Sequence, residues 1–315
     1  MSEVRIGLVG CGGIGGVHAR SWAQVEGARI VAAADVDRTR AAATGGTPYA
    51  DYTAMLDAEA LDLVDICTPP KWHAPAAIAA LERGRRVLCE KPLARNPDEA
   101  RAIVAAAEQS GTLLMTAFCH RFHPPIVWLK SLIESGKLGR VVQYRNRFGA
   151  KFEGIESVWF SNPDIAGGGV LMDTSVHSVD LFRHLVGEVV GAASATHTFH
   201  AHVHGLEDTG TMLLTAEGGA IGVIEASWVT PHSKNIVEVY GEAGAAVVDY
   251  NTGTASWCPY GESTWQQTEL PDENRFVLEL RHVAAVVRGE ATPRVTGHDG
   301  MRAVEIIHQA YANRL

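Results

Sequence analysis

Val4-Arg5-Ile6-Gly7-Leu8-Val9-Gly10-Cys11-Gly12-Gly13-Ile14-Gly15 begins as a run of apolar residues, breaks at a glycine-rich turn and continues into a helical stretch. In a strand-turn-helix unit, Gly10 permits the tight turn, Gly12 lets backbone amides approach a pyrophosphate, and Gly15 lets the helix pack closely on its strand. Gly13 and Ile14 then fall in the first helical turn, where unpaired N–H groups and the positive dipole end favour phosphate. Asp35 closes the next strand-like run, 25 residues beyond Gly10, where a carboxylate can accept hydrogen bonds from ribose hydroxyls. The bland alternative is a glycine turn with an incidental aspartate. Asp35 would repel a 2′-phosphate, which favours NAD; Arg38, three residues on, could meet that phosphate instead and keeps NADP open.

Outward from this unit, short β-branched runs alternate with alanine-rich helical stretches, the pattern of a parallel sheet covered by helices on both faces. The predicted strands are 4–9, 29–34, 63–67, 86–89 and 112–117, with helices after Gly13, over 74–83 and over 98–110. Five strands with intervening helices define a doubly wound domain over 1–121, an α/β fold. At Pro124-Pro125 the alternation stops, and 122–315 is read as a second domain. It begins with a helix at 126–135 and a strand at 141–148, and a helix follows Gly167-Gly168-Gly169 to about Val186. Strands at 189–196, 211–215, 220–228, 235–240 and 245–250 with short turns predict a mostly antiparallel sheet, and helices at 275–288 and 301–314 close an α+β domain.

Lys and Arg total 27 against 36 Asp and Glu, a net charge of −9 with no basic block, which argues against nucleic acid as a partner. No apolar run approaches the ~18–20 residues that cross a bilayer, and Glu3 stands where a signal peptide would carry positive charge, so a cytoplasmic location is expected. Five scattered cysteines with no CxxC pair read as buried reduced thiols, and no metal site is expected.

Two further groups bear on chemistry. Thr68-Pro69-Pro70 with His73, and Glu90-Lys91-Pro92, both follow predicted parallel strands, along the edge where ligands bind in such sheets. Pro92 restrains Lys91 to an extended conformation, so its ammonium can be aimed from a fixed base. A lysine after a strand also reads as a solvated loop charge. Asp173 and His177 are four apart in the helix after the triple glycine and share one face, which Asp180 and His184 continue. That stripe is open to three readings: a solvent-facing polar face, a carboxylate orienting a histidine that titrates near neutrality, or a metal site.

Together, GCGGIG, Asp35, TPPxxH, EKP, the CHRFHP run at 119–124 and GGGxLMDxxxHxxD resemble the Gfo/Idh/MocA family of nicotinamide-dependent oxidoreductases, in order and spacing over most of the chain. The resemblance implies an N-terminal Rossmann domain and a C-terminal domain whose large open sheet often mediates homodimers or homotetramers. It also implies hydride transfer between NAD(P) and a carbinol carbon of a sugar, inositol or related polyol. Within it, Lys91 contacts the nicotinamide ribose and the reacting hydroxyl, and the Lys91–Pro92 bond is expected to be cis. His177 moves the proton, and Asp173 binds substrate or tunes His177. Thr68, Pro69, His73, Glu90 and Arg121 fall at positions near the cofactor. Ser175 departs from the glycine of many relatives. Two other functions fit the same fold: a glycosidase using tightly held NAD for transient redox, and a non-catalytic sensor of dinucleotide or sugar.

Overall fold

The computed structural model describes residues 3–200 and 205–315, which divide into two units: Met1–Cys119 with Asn274–Val304, and His120–Glu273 with Glu305–Leu315.

In the first unit, β1 (Val4–Val9), α1 (Gly13–Trp22), β2 (Ala28–Ala34), α2 (Arg38–Ala42), β3 (Thr47–Tyr49), α3 (Tyr52–Ala58), β4 (Leu63–Ile66), α4 (His73–Glu82), β5 (Arg86–Glu90), α5 (Pro97–Ser110) and β6 (Leu114–Ala117) alternate as expected of a doubly wound fold. The sheet is all parallel in the order β3-β2-β1-β4-β5-β6, so it has six strands where five were predicted. The additional strand, β3, is a three-residue edge segment containing Pro48, too short and too polar to register as a periodic run. Strand order reverses between β1 and β4, which places the turns after both strands at the edge where this fold opens a crevice. α5 shows how closely local chemistry sets an element. Asn96 caps it by accepting from the Glu99 amide, Pro97, Asp98 and Glu99 fill the first turn, and Gly111 ends it at φ +63°.

The boundary expected at 121/122 leaves out a later return. α10 (Arg275–Val287) lays Leu280, Val283 and Ala284 into the same core as Val4, Leu8, Trp22 and Ile30, and the chain stays with this unit to Val304, in the first half of α11 (Gly297–Ala312). The sequence shows α10 as amphipathic but does not say which sheet its apolar stripe covers.

α10 also buries Glu279, whose two carboxyl oxygens have no hydrogen-bond partner among the described residues. Burial pushes this acid well above the carboxylate range; His18 and Arg275 oppose the shift, and Glu90 and Asp65 add to it. A carboxyl raised in the fold keeps its proton there and loses it in the unfolded chain. Stability therefore falls as pH climbs above the unfolded value of ~4.3, by up to ~1.4 kcal/mol per pH unit until the folded group ionises. Glu279→Gln should remove that slope. Its melting temperature should exceed wild type by several degrees at pH 8 and by much less at pH 5; an equal difference at both would show that Glu279 is not held protonated.

The second unit begins with α6 (Pro124–Glu134) and β7 (Val141–Gly149). After α7 (Pro163–Ala166), α8 (Val170–Asp173) and α9 (Ser175–Leu185) come β8 (Val189–His197), β9 (Thr209–Ala216), β10 (Ile221–Ser227), β11 (Ile236–Gly241), β12 (Gly244–Asp249), β13 (Thr254–Pro259) and β14 (Gln266–Thr268). They form an eight-stranded sheet in the order β14-β13-β12-β11-β7-β10-β9-β8. All pairings are antiparallel except β7 with β10, which run parallel because the helices between them carry the chain across. β13 and β14 add two strands to those expected, beyond the Asn251-Thr252-Gly253 turn. Tyr144, Asn146, Met212, Leu214 and Ile224 are buried on one face, while Arg145, Arg147, Leu213 and Ile221 lie on the other. There Glu225 accepts from both Arg145 and Arg147, at 2.9 Å each.

Candidate functional site

In the first unit the site is built at the turns that follow β1, β2, β4 and β5. Gly10 has φ +87°, and a Cβ on Gly15 would lie 2.0 Å from the Gly10 carbonyl oxygen, so the turn admits a side chain at neither position. Gly12 caps α1 with no side-chain hydrogen bond and no acid follows in the first turn, so no acid of the helix itself meets the first amides, those of Gly13 and Ile14 among them.

Asp35 is turned toward this loop. Its Oδ2 accepts from the Cys11 amide at 2.7 Å, its Oδ1 accepts from the Asp37 amide at 2.8 Å, and the Arg40 guanidinium lies 3.1 Å from Oδ1. The cation beside the acid is thus Arg40, which the sequence reading missed; Arg38, named there, is exposed at the start of α2. The i,i+5 spacing from Asp35 to Arg40 is the signal that a short helix after β2 would have supplied.

These residues suit a dinucleotide on two counts. A Cβ built on Gly12 or Gly13 meets nothing within 4 Å, so the loop has open space in front of it. Thr68 Oγ1, in the turn after β4 with Pro69, is buried with no hydrogen-bond partner among the described residues, as a hydroxyl awaiting a ligand would be.

Two expected cofactor residues lie inside the fold. His73 is fully buried, with Nδ1 2.9 Å from the Pro92 carbonyl oxygen and Nε2 2.7 Å from that of Thr68. Burial drives the ring below the usual histidine range while the two carbonyls pull the other way. A neutral ring has one N–H to donate, and in either tautomer it sits between the Thr68 turn and the Lys91–Pro92 turn. Glu90 is also buried, with Oε1 toward His18 and Oε2 accepting from the Lys91 amide at 2.9 Å. Both residues brace the segment that carries Lys91 from within. The Lys91–Pro92 bond is cis.

In the second unit, α8 and α9 are separated only by Thr174, whose backbone remains right-handed helical, so Asp173 and His177 keep the spacing expected of one helix. The start of α8 is pinned by Glu207. Its backbone oxygen accepts from Val170, and its Oε1 accepts from the Leu171 amide at 3.0 Å and the Tyr311 hydroxyl at 2.6 Å. The Trp228 indole donates to Thr174 Oγ1 at 3.2 Å, and that hydroxyl donates to Asp173 Oδ2 at 3.2 Å, which sets the carboxylate from behind. His177 packs its ring 4.5 Å from that of His120, whose Nδ1 lies 3.0 Å from the Tyr250 hydroxyl; His123 stacks on Tyr250 at 4.8 Å. The stripe is therefore not a solvated face. Asp180 is buried and held by the Arg121 guanidinium through Nε, at 2.9 Å, and Nη2, at 2.6 Å, which ties the segment at Arg121 to α9 within the second unit. The sequence reading missed His120, Tyr250 and Trp228; only the aromatic and histidine density around 119–123 hinted at the first.

The fold and these turns define a dinucleotide-binding protein, and comparison with known proteins gives the family and its oxidoreductase class. Residues 4–118 match the model described as an oxidoreductase family with an NAD-binding Rossmann fold, and residues 126–247 match the GFO/IDH/MocA C-terminal domain. The chain belongs to this Gfo/Idh/MocA family of NAD-binding oxidoreductases. It is 30% identical to a D-apiose dehydrogenase of Paraburkholderia graminis over 96% of this chain and 86% of the relative. It is also 30% identical to an inositol 2-dehydrogenase of Rubrobacter xylanophilus, over 99% and 91% of the two chains. Among solved structures, a levoglucosan dehydrogenase in complex with NADH and levoglucosan shares the fold at TM-score 0.91 and 22% identity, over 99% of this chain and 97% of that one. No helix among the described residues is long and apolar enough to cross a membrane.

Proposed function

We propose that the chain oxidises a secondary alcohol carbon of a sugar, inositol or related polyol, reversibly and with NAD. The observation that carries this reading is the support built around Lys91, with Glu90 holding its amide and His73 wedged between the carbonyls of Thr68 and the next residue, Pro92. A loop lysine left to solvent needs no such bracing. The names of the relatives, an apiose and an inositol dehydrogenase among them, agree with the substrate class.

Bound NAD supplies the hydride acceptor or donor at its nicotinamide. Lys91 places a positive charge on the substrate oxygen as it becomes an alkoxide, and His177 takes or returns the hydroxyl proton. Asp173, fixed by Thr174 and Trp228, binds a substrate hydroxyl or steadies the His177 cation. The Gly10–Gly15 turn and Thr68 hold the dinucleotide, with Pro69 bordering it, and Asp35 selects NAD by repelling a 2′-phosphate. The test is NADH formation across a panel of sugars, inositols and polyols, with NADH and NADPH dissociation constants measured beside it. Sustained NADH production supports the reading. Hydrolysis of a glycoside without net NADH would replace it with the transient-redox alternative, and binding without turnover would leave a sensor.

The sheet face bearing Leu213 and Ile221, 44% and 50% exposed, is assigned to self-association into a homodimer or homotetramer. Leu213→Arg should then lower the mass measured by light scattering; an unchanged mass would remove this face as the interface.

A further inference from the structure

His18 is absent from the nucleotide site as read from sequence, yet it is fully buried in α1 between two acids on different strands. Its Nδ1 lies 2.9 Å from Asp65 Oδ2, and its Nε2 lies 3.1 Å from Glu90 Oε1. The Trp22 indole donates to the same Asp65 oxygen at 2.7 Å, and the other oxygen of Glu90 accepts from the Lys91 amide. The line thus runs from β4 through α1 to the end of β5 and stops at the backbone of Lys91.

We propose that His18 is a positioning residue for Lys91, acting through Glu90. This rests on the reading of Lys91 given above. Carboxyl oxygens face the imidazole at both nitrogens, a setting that favours an N–H on each and so a ring that carries its extra proton. Burial opposes that charge, yet the nearby Asp65 carries the ring well above the usual histidine range. His18, Asp65 and Cys67 lie close enough to suggest a metal. The Trp22 N–H already donates to Asp65 Oδ2, and burial raises the Cys67 thiol.

The two acids depend on His18 unequally. Asp65 keeps Trp22 when the imidazole is removed, whereas among the described residues the side chain of Glu90 keeps the Lys91 amide, a bond to its own neighbour. Loss of the Nε2 contact leaves a buried carboxyl oxygen without its donor, and the side chain must turn to find another. That turn disturbs the acceptor that holds Lys91.

The experiment separates the two ring nitrogens. Asparagine at 18 puts its amide near the Nδ1 position and keeps Asp65; glutamine reaches one atom further, toward Glu90. The six lysines are 71, 91, 130, 137, 151 and 234, few enough to resolve by NMR after reductive ¹³C-methylation, with Lys91→Arg assigning the signal of interest. His18→Asn should shift the Lys91 signal and lower kcat about tenfold or more on a panel substrate while NADH affinity stays within about threefold; His18→Gln should restore both toward wild type. An unmoved Lys91 signal in His18→Asn, or equal effects in the two variants, would overturn the proposal. If neither variant folds, Glu90→Ala must reproduce the displaced signal, and an unchanged spectrum there overturns it equally. Failure of the Lys91 reading is distinguishable: Lys91→Ala would retain turnover while the spectral effect of His18→Asn persisted.

Discussion

Lys91→Ala should still bind NADH and should lose about two to three orders of magnitude in turnover, the ~2.7–4 kcal/mol a preorganised charge contributes at a forming oxyanion. The expectation rests on how little freedom the segment has. Glu90 holds the Lys91 amide, and His73 is wedged between the carbonyls of Thr68 and Pro92. An amine mounted this way costs little to reorganise when charge develops on the substrate, so its removal is felt in kcat more than in cofactor affinity. NADH titration by fluorescence and initial rates on a productive polyol give the two numbers. Turnover within a few-fold of wild type would mean that the ammonium does not serve the reacting oxygen.

His177→Asn should cost about two to four orders of magnitude in oxidation rate, the range for loss of a positioned acid–base group, and should flatten the pH–rate profile near neutrality. Asparagine keeps a polar group of similar reach but cannot carry the proton. The sign follows from the role. Oxidation needs an imidazole free to accept, so the wild-type rate rises with pH through the histidine range, and reduction, which needs the proton, falls. The packing of His177 against His120, itself bonded to Tyr250, makes the ring's orientation a property of the second unit and not of the helix alone. A profile that keeps its slope in the variant would move proton transfer to another group.

Most of the first unit could be read from local pattern, because every strand there but β3 is rich in apolar residues and the turns after β1 and β5 carry their own chemistry. The glycine loop, the acid after β2 and the EKP turn are all short-range signals. β3 escaped because an edge strand with proline has no periodicity to detect. α10 was legible as a helix but not as part of the nucleotide unit, since its partner surface lies more than two hundred residues away along the chain. The site divided in the same way. Lys91, Asp173 and His177 stand out by spacing, but the groups that brace them come from elsewhere: His18 from α1, Glu207 from the start of β9's approach, Trp228 from the end of β10. Asp65 offered one hint, an acid in the middle of Leu61-Asp62-Leu63-Val64-Asp65-Ile66 where burial demands a partner. No spacing rule says that its partner is a histidine in α1, 47 residues earlier.

The return of residues 274–304 to the first unit has a consequence for biosynthesis. A ribosome releases the nucleotide-binding strands early, but the side chains that seal their core, Leu280, Val283 and Ala284, emerge only after the whole of the intervening sheet. The nascent chain therefore carries a half-finished Rossmann layer while its neighbour is being made, and maturation of the cofactor site waits on a helix translated after that whole sheet.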